Sequence, residues 1–243
     1  MRYAIYFTPP SGDALLKVAA NWLGRSAFSG EAVKVPAIRT LAAEDIAALT
    51  AEPRRYGFHG TLKAPFSLDA SYEESDLLSA LMYFASSTRP FMIPRLQVQG
   101  IGPFFALVPA EPVAELNQLA NDVVVSFDRF RAPLRDAEIA KRRPERLSEA
   151  QRQNLDRWGY PYVFDEFRFH MTLTGPVDEK QRPQVERALD DFFAPVLDDA
   201  VEIANLALFV EPEKGAPFEI HSLHPMTGGN KFSKRSSRAV GRP

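Results

Sequence analysis

Two short segments hold the residues best suited to chemistry. One reads Phe58-His59-Gly60-Thr61-Leu62-Lys63-Ala64-Pro65, the other Phe169-His170-Met171-Thr172-Leu173-Thr174-Gly175-Pro176. Laid over one another they agree at Phe, His, Thr, Leu and Pro, once in each half of the chain. An internal match of this kind points to two related lobes. In a strand, successive side chains alternate faces. His59 then shares a face with Thr61, and His170 with Thr172. Phe58, Gly60 and Leu62 turn the other way, as do Phe169, Met171 and Leu173. If an approximate two-fold axis relates the lobes, two imidazoles and two hydroxyls meet around one small anion. Such a set suits a phosphodiester. One neutral imidazole takes a proton from water or a sugar hydroxyl, and a protonated one gives a proton to the leaving oxygen. The Thr61 and Thr172 hydroxyls donate to the non-bridging oxygens as charge shifts. His59 and His170 are thus the expected acid/base pair, and substrate orientation decides which is acid and which is base.

Weaker candidates flank the motifs. Residues 59, 61 and 63 share parity, so Lys63 is either a phosphate contact or a plain surface lysine. Thr174 shares the face of His170 in the same way. Tyr3, Tyr56 and Arg54 are possible cleft residues, with surface or core roles as the alternative. A zinc site competes, built from Asp165 and Glu166 near His170 with His221 and His224. No His-Glu-x-x-His spacing supports it, so no metal or cofactor is expected. His221 and His224 read as surface residues before Pro225.

The elements that must position these groups follow from periodicity. Residues 2–7 read as a strand, stopped by Pro9-Pro10. Ser11 looks like the N-cap of a helix carrying Leu15, Leu16, Ala19, Trp22 and Leu23. Further helices are expected near 42–49, 73–85, 113–127 and 180–193. Strands are expected near 58–66, 94–100, 104–108, 163–173, 202–210 and 218–223. Both halves loosely follow the order strand, helix, strand, helix, strand, strand. The fold class is therefore α+β, a bilobal domain over residues 1–225 with a cleft between the lobes. Residues 133–159 are densely charged, and Ser148-Glu149-Ala150-Gln151 matches a capping box. This stretch is either a solvated connector or a cationic flap over an anionic substrate. Residues 226–243 hold Lys231, Lys234, Arg235, Arg238 and Arg242 among Gly and Ser, and read as a basic disordered tail.

Composition limits the rest. The 243 residues are 45% hydrophobic and 25% charged with a net charge of −2, so an anion must be held locally rather than by a basic surface. There is no cysteine, which excludes thiolate catalysis and disulfides. No stretch approaches the roughly 18 apolar residues of a membrane span. A cytoplasmic protein is the default expectation, with no membrane partner.

The two His-x-Thr-Leu motifs, in these settings, resemble those of the two-histidine phosphoesterase superfamily. The longer runs Arg54-Arg55-Tyr56-Gly57-Phe58-His59-Gly60-Thr61-Leu62-Lys63-Ala64-Pro65-Phe66 and Trp158-Gly159-Tyr160-Pro161-Tyr162-Val163, with Phe167-Arg168-Phe169-His170 after the latter, resemble one branch. That branch is an uncharacterised family often encoded with bacterial phosphonate-degradation genes. The resemblance covers about residues 1–225. It implies a bilobal α+β fold and activity on cyclic phosphates or 2′,5′-type linkages of nucleotides or RNA ends. By position, it implies His59 and His170 as acid and base and Thr61 and Thr172 as phosphate donors. The branch suggests a small sugar phosphate such as a ribose cyclic phosphate.

Overall fold

A computed structural model describes residues 1–38 and 40–229. In chain order the elements are β1 (Arg2–Phe7), α1 (Ala14–Leu23), α2 (Ala43–Leu49), α3 (Ala51–Arg54), β2 (Gly60–Phe66), α4 (Glu74–Ser87), β3 (Phe91–Ile93), β4 (Leu96–Ile101), β5 (Phe104–Pro109), α5 (Ala114–Phe127), α6 (Asp136–Lys141), α7 (Glu149–Trp158), β6 (Met171–Thr172), α8 (Arg182–Leu197), β7 (Val201–Ile203), β8 (Asn205–Glu211) and β9 (Glu219–Pro225). The fold is α+β, as its sequence pattern implies.

The halves share one sheet. Seven strands run in the order β4-β5-β6-β2-β1-β8-β9, and every neighbouring pair is antiparallel. The first motif lies on the β2-β1-β8-β9 side and the second on the β4-β5-β6 side. Their seam is the pairing of β2 with β6, where Gly60 faces Met171. Strands β3 and β7 form a separate pair.

Side-chain parity sorts the sheet into two environments. Tyr3, Ile5 and Phe7 of β1 enter the main core with Leu15 and Trp22 of α1, Leu77 of α4, Val123 of α5 and Phe193 of α8. The backs of both motifs, Phe58, Leu62, Phe169, Met171 and Leu173, are buried in that same core. The opposite face carries a smaller cluster in which Ala4 and Tyr6 pack with Ala27, Ala207, Phe209 and Phe218. β1 is apolar on both faces because it runs through the middle of the sheet.

Local boundaries differ from the periodic reading where polar groups intervene. Asp13, not Ser11, caps α1: its carboxylate accepts from the amides of Leu15 (2.8 Å) and Leu16 (3.2 Å), using two donors the helix leaves free. The expected strand over 163–173 shrinks to Met171–Thr172. A 3-10 turn at Phe164–Glu166, with Phe164 at φ 56°, takes the chain out of extended geometry. The start of the expected tail is docked. Met226 is buried, the Gly228 amide donates to the Thr88 carbonyl (2.8 Å), and the Gly229 amide donates to that of Ser86 (2.8 Å). The basic residues of the tail lie outside the described residues.

Gly60 is the tight point of the seam. A Cβ built there would sit 2.5 Å from the Phe169 ring. Elsewhere in a strand, Gly→Ala is mildly stabilising through lower chain entropy. Here Gly60→Ala should instead lower stability by about 1–3 kcal/mol, the usual range for overpacking. Urea unfolding checks the sign, and unchanged or higher stability would contradict the packing described.

Candidate active site

The Gly60–Met171 pairing places the chemistry. One step either side in an antiparallel ladder sets His59 beside Thr172 and Thr61 beside His170. Gly60 and Met171 point to the core, so all four neighbours project from the opposite face. The flanking strands agree: Thr61 faces Tyr6 of β1, and Thr172 faces Ala106 of β5. The two histidines therefore sit on a diagonal, about 7–8 Å apart at the backbone by standard sheet spacing.

Both imidazoles are held identically. His59 Nδ1 lies 2.9 Å from the Gly57 carbonyl, and His170 Nδ1 lies 2.8 Å from the Arg168 carbonyl. A carbonyl only accepts, so Nδ1–H is the donor in each ring. This leaves each Nε2 as the titrating atom. Both rings are half-buried, as are Thr61 and Thr172.

Their surroundings differ. His59 stacks on Tyr6 with ring centroids 4.0 Å apart and an interplanar angle of 25°, and its ring also lies near Tyr56 (5.8 Å) and Phe209 (6.0 Å). His170 approaches Phe104 (5.8 Å). Burial lowers the His59 imidazole to about 4, against the opposing Gly57 hydrogen bond, and a positive His170 would lower it further. Burial also lowers His170; its hydrogen bond to the Arg168 carbonyl opposes this and the Arg168 guanidinium adds to it. Without a ligand both rings are neutral at pH 7. A bound anion reverses this by favouring the imidazolium.

Tyr56 is in place beside His59, stacked on Phe218 (5.0 Å). Other expected residues are elsewhere. Tyr3 has the opposite parity to Tyr6, and its hydroxyl donates to Glu74 of α4 (2.7 Å). Lys63 is turned away by a bulge: Tyr6 pairs with Thr61, but Ile5 pairs with Lys63, so Leu62 is an extra residue. An extra residue breaks strict alternation. The Lys63 ammonium is buried under α5, 3.2 Å from Asp128 and 3.5 Å from the Val124 carbonyl. Arg54 is engaged by backbone, donating to the carbonyls of Leu23 (2.6 Å) and Ala47 (3.0 Å). Thr174 is buried and accepts from the Phe105 amide (3.0 Å). His221 meets Glu74 (3.4 Å), while Glu166 accepts from Gln151 (2.7 Å), so the alternative zinc set is dispersed. Among the described residues no group of three or more His, Cys, Asp or Glu is placed to hold a metal.

Sequence reasoning missed Tyr6, which stacks on His59. Tyr6 was within reach, since the alternation that excludes Tyr3 selects it. The Tyr6 phenol is raised well above its ordinary range by burial and by the Tyr56 and Tyr160 hydroxyls, with Arg2 and Arg142 opposing. Arg142 lies over the Tyr160 ring at 4.8 Å. The stretch expected as a connector or a flap folds as α6 and α7.

Residues 61–219 match a family described as a protein of unknown function, DUF1045. The chain belongs to this family. It is 38% identical over 232 residues to the ribose 1,5-bisphosphate phosphokinase PhnN of Janthinobacterium sp. (strain Marseille), covering 93% of this chain and 51% of that protein. A like-named protein of Laribacter hongkongensis (strain HLHK9) is 35% identical over 222 residues, covering 90% of this chain and 50% of that one. The chain thus spans about half the length of these two relatives. Among solved structures, E. coli LigT complexed with 3′-AMP aligns at 13% identity and TM-score 0.42, over 93% of this chain and 98% of that one. TT0787 of Thermus thermophilus aligns at 13% identity and TM-score 0.44, over 94% and 99%. No helix among the described residues is long and apolar enough to cross a membrane.

The low His59 value gives a signed expectation. The unfolded imidazole titrates near 6.5 and the folded one near 4. Between these the unfolded chain binds more protons, so this contribution to stability is full above pH 6.5 and lost as pH falls toward 4. Urea midpoints should drop over that window, and His59→Gln should flatten the drop. An unchanged slope in the variant would refute a buried neutral His59.

Proposed function

We propose that the chain is a metal-independent phosphodiesterase acting on a small cyclic phosphate or 2′,5′-type phosphodiester. The observation that carries this is the matched pair of histidines, each held through Nδ1 by a carbonyl two residues back, with a threonine beside each across the Gly60–Met171 seam. Two free Nε2 atoms on one face suit in-line displacement at phosphorus, one as base and the other as acid. Water attacks phosphorus and passes its proton to one neutral Nε2. The bond from phosphorus to the leaving sugar oxygen breaks, and that oxygen takes the proton of the opposite imidazolium. The anion itself raises the imidazole that must arrive protonated. Among the described residues neither the Thr61 nor the Thr172 hydroxyl has a protein hydrogen-bond partner, so both are available to the non-bridging oxygens.

A ribose cyclic phosphate is the substrate we favour. Its support is the name of the longer relatives, which concerns ribose 1,5-bisphosphate. A kinase activity in this half has less support. The sequence contains no Gly-Lys dipeptide, hence no Gly-x-x-x-x-Gly-Lys-Ser/Thr phosphate loop. A nucleotide or an RNA end would fit the same anion site, and a non-catalytic binder of such ligands is the alternative.

Purified protein assayed with chelator on cyclic phosphates and short 2′,5′-linked oligonucleotides tests the proposal. His59→Ala and His170→Ala should each lower kcat/KM by about 10²–10⁴-fold. Thr61→Val and Thr172→Val should lose about 10²-fold. Absence of turnover, with ligand binding unchanged in both histidine variants, would sink it.

A further inference from the structure

A charged group off the flank of His59 has no part in the acid/base scheme. Arg2 opens β1 and faces Glu211 at the end of β8. Arg2 Nε donates to one Glu211 oxygen, and Arg55 Nη2 donates to the other. The Gly215 amide also donates to Glu211 (3.0 Å), and Arg55 Nε donates to the Ala216 carbonyl (3.1 Å). The Glu211 side chain is fully buried, while the Arg2 and Arg55 side chains stay 31% and 33% exposed. One buried carboxylate thus holds two guanidiniums side by side and leaves one positive charge uncompensated. Among the described residues, both Nη atoms of Arg2 and Nη1 of Arg55 have no hydrogen-bond partner.

Measured contacts tie this group to the histidine. Arg55 Cζ lies 5.6 Å from the Tyr56 ring centroid, and the Tyr56 ring lies 5.8 Å from that of His59. Arg2 Cζ lies 5.7 Å from the Phe218 ring, which is 5.0 Å from Tyr56 and 6.4 Å from Tyr6. Tyr6 in turn stacks on His59 at 4.0 Å. One aromatic strip therefore joins both arginines to the imidazole. The Phe218 amide donates to the Arg55 carbonyl (2.8 Å), which pins the two sides of the strip together. Strand order places β1 and β8, which carry Arg2 and Glu211, on the side of β2 away from β6. Guanidinium forks with free edges bind phosphate through paired, charge-assisted hydrogen bonds. The carboxylate behind them already fixes their planes, so a ligand has little ordering left to impose.

We infer that Arg2 and Arg55, bridged by Glu211, form a second phosphate subsite on the His59 side of the centre, so that the preferred ligand carries a phosphate monoester besides the group held between the histidines. For what occupies the centre, this rests on the phosphodiesterase proposed above. The rings between the two subsites set their spacing, through contacts of 5.6 and 5.8 Å. The two phosphates therefore belong to opposite ends of one sugar rather than to adjacent positions of a diphosphate.

Ligands that need no turnover separate this subsite from the proposal it rests on. Calorimetry on the whole chain would compare adenosine 2′-monophosphate with adenosine 2′,5′-bisphosphate. The wild type should bind the bisphosphate at least about tenfold more tightly, as expected for one added charge-assisted hydrogen bond. Arg2→Gln leaves Glu211 paired with Arg55, so the buried carboxylate stays compensated. This variant should lose most of the gain and keep monophosphate affinity within about twofold, which also shows that it is folded. Arg55→Gln, with Arg2 left on Glu211, should do the same. Arg2→Lys should keep part of the gain, since the charge remains and the fork does not. Arg187→Gln, at an exposed position of α8 behind the opposite face of the sheet, makes the same charge change and should alter neither affinity. Equal wild-type affinity for the two ligands, or no binding of either, would overturn the subsite. So would a gain that survives both Arg2→Gln and Arg55→Gln, equal losses of both ligands in those variants, or as large a loss in Arg187→Gln. Discrimination that depends on Arg2 and Arg55, without turnover of any phosphodiester, would instead overturn only the enzymatic proposal.

Discussion

One short pairing holds the candidate site together. β6 has two residues, and its contact with β2 is the facing of Gly60 and Met171. Every feature of the site follows from that register. A slip of β6 by one residue would turn His170 into the core and bring Met171 to the opposite face, while β2 keeps its ladder with β1. The backs of the two strands prevent it, because Phe58, Leu62, Phe169 and Leu173 are already buried on the helix-covered side. Gly60 is needed for a related reason: the ring of Phe169 occupies the space a side chain would take. The core on one face thus positions the polar groups on the other.

The site is symmetric in its hydrogen bonds and asymmetric in its walls. The matching Nδ1 contacts make the two imidazoles chemically alike. The aromatic stack around His59 and the single ring near His170 make them electrostatically different. Low polarity keeps both neutral when no anion is bound, so a negative charge between them changes their state as well as its own. Under the phosphodiesterase proposed here, binding and proton supply are one event. The Arg2–Glu211–Arg55 group, lying over Phe218 and Tyr56, carries one positive charge in excess on the same side as His59.

Much of this is legible in the sequence. The internal repeat locates the two histidines and the two threonines, and period-two alternation places them on one face. Alternation fails where its assumption fails. Lys63 obeys the parity of Thr61 on paper, but the extra residue at Leu62 turns it under α5. Residue type alone favours Tyr3 as readily as Tyr6, and parity is what separates them. A continuous strand over 163–173 ignores the 3-10 turn that lets the chain bring Arg168 and His170 to the seam. Charge alone does not settle the role of residues 133–159. Whether such a stretch is solvated or covers a cleft depends on where its ends are anchored, which composition does not carry.

A crystal structure with inorganic phosphate or vanadate tests the central claim most directly. The account predicts the anion between the two Nε2 atoms, each within hydrogen-bond distance, with the Thr61 and Thr172 hydroxyls on its remaining oxygens. An anion bound elsewhere, or imidazoles turned so that Nε2 faces the protein, would contradict it.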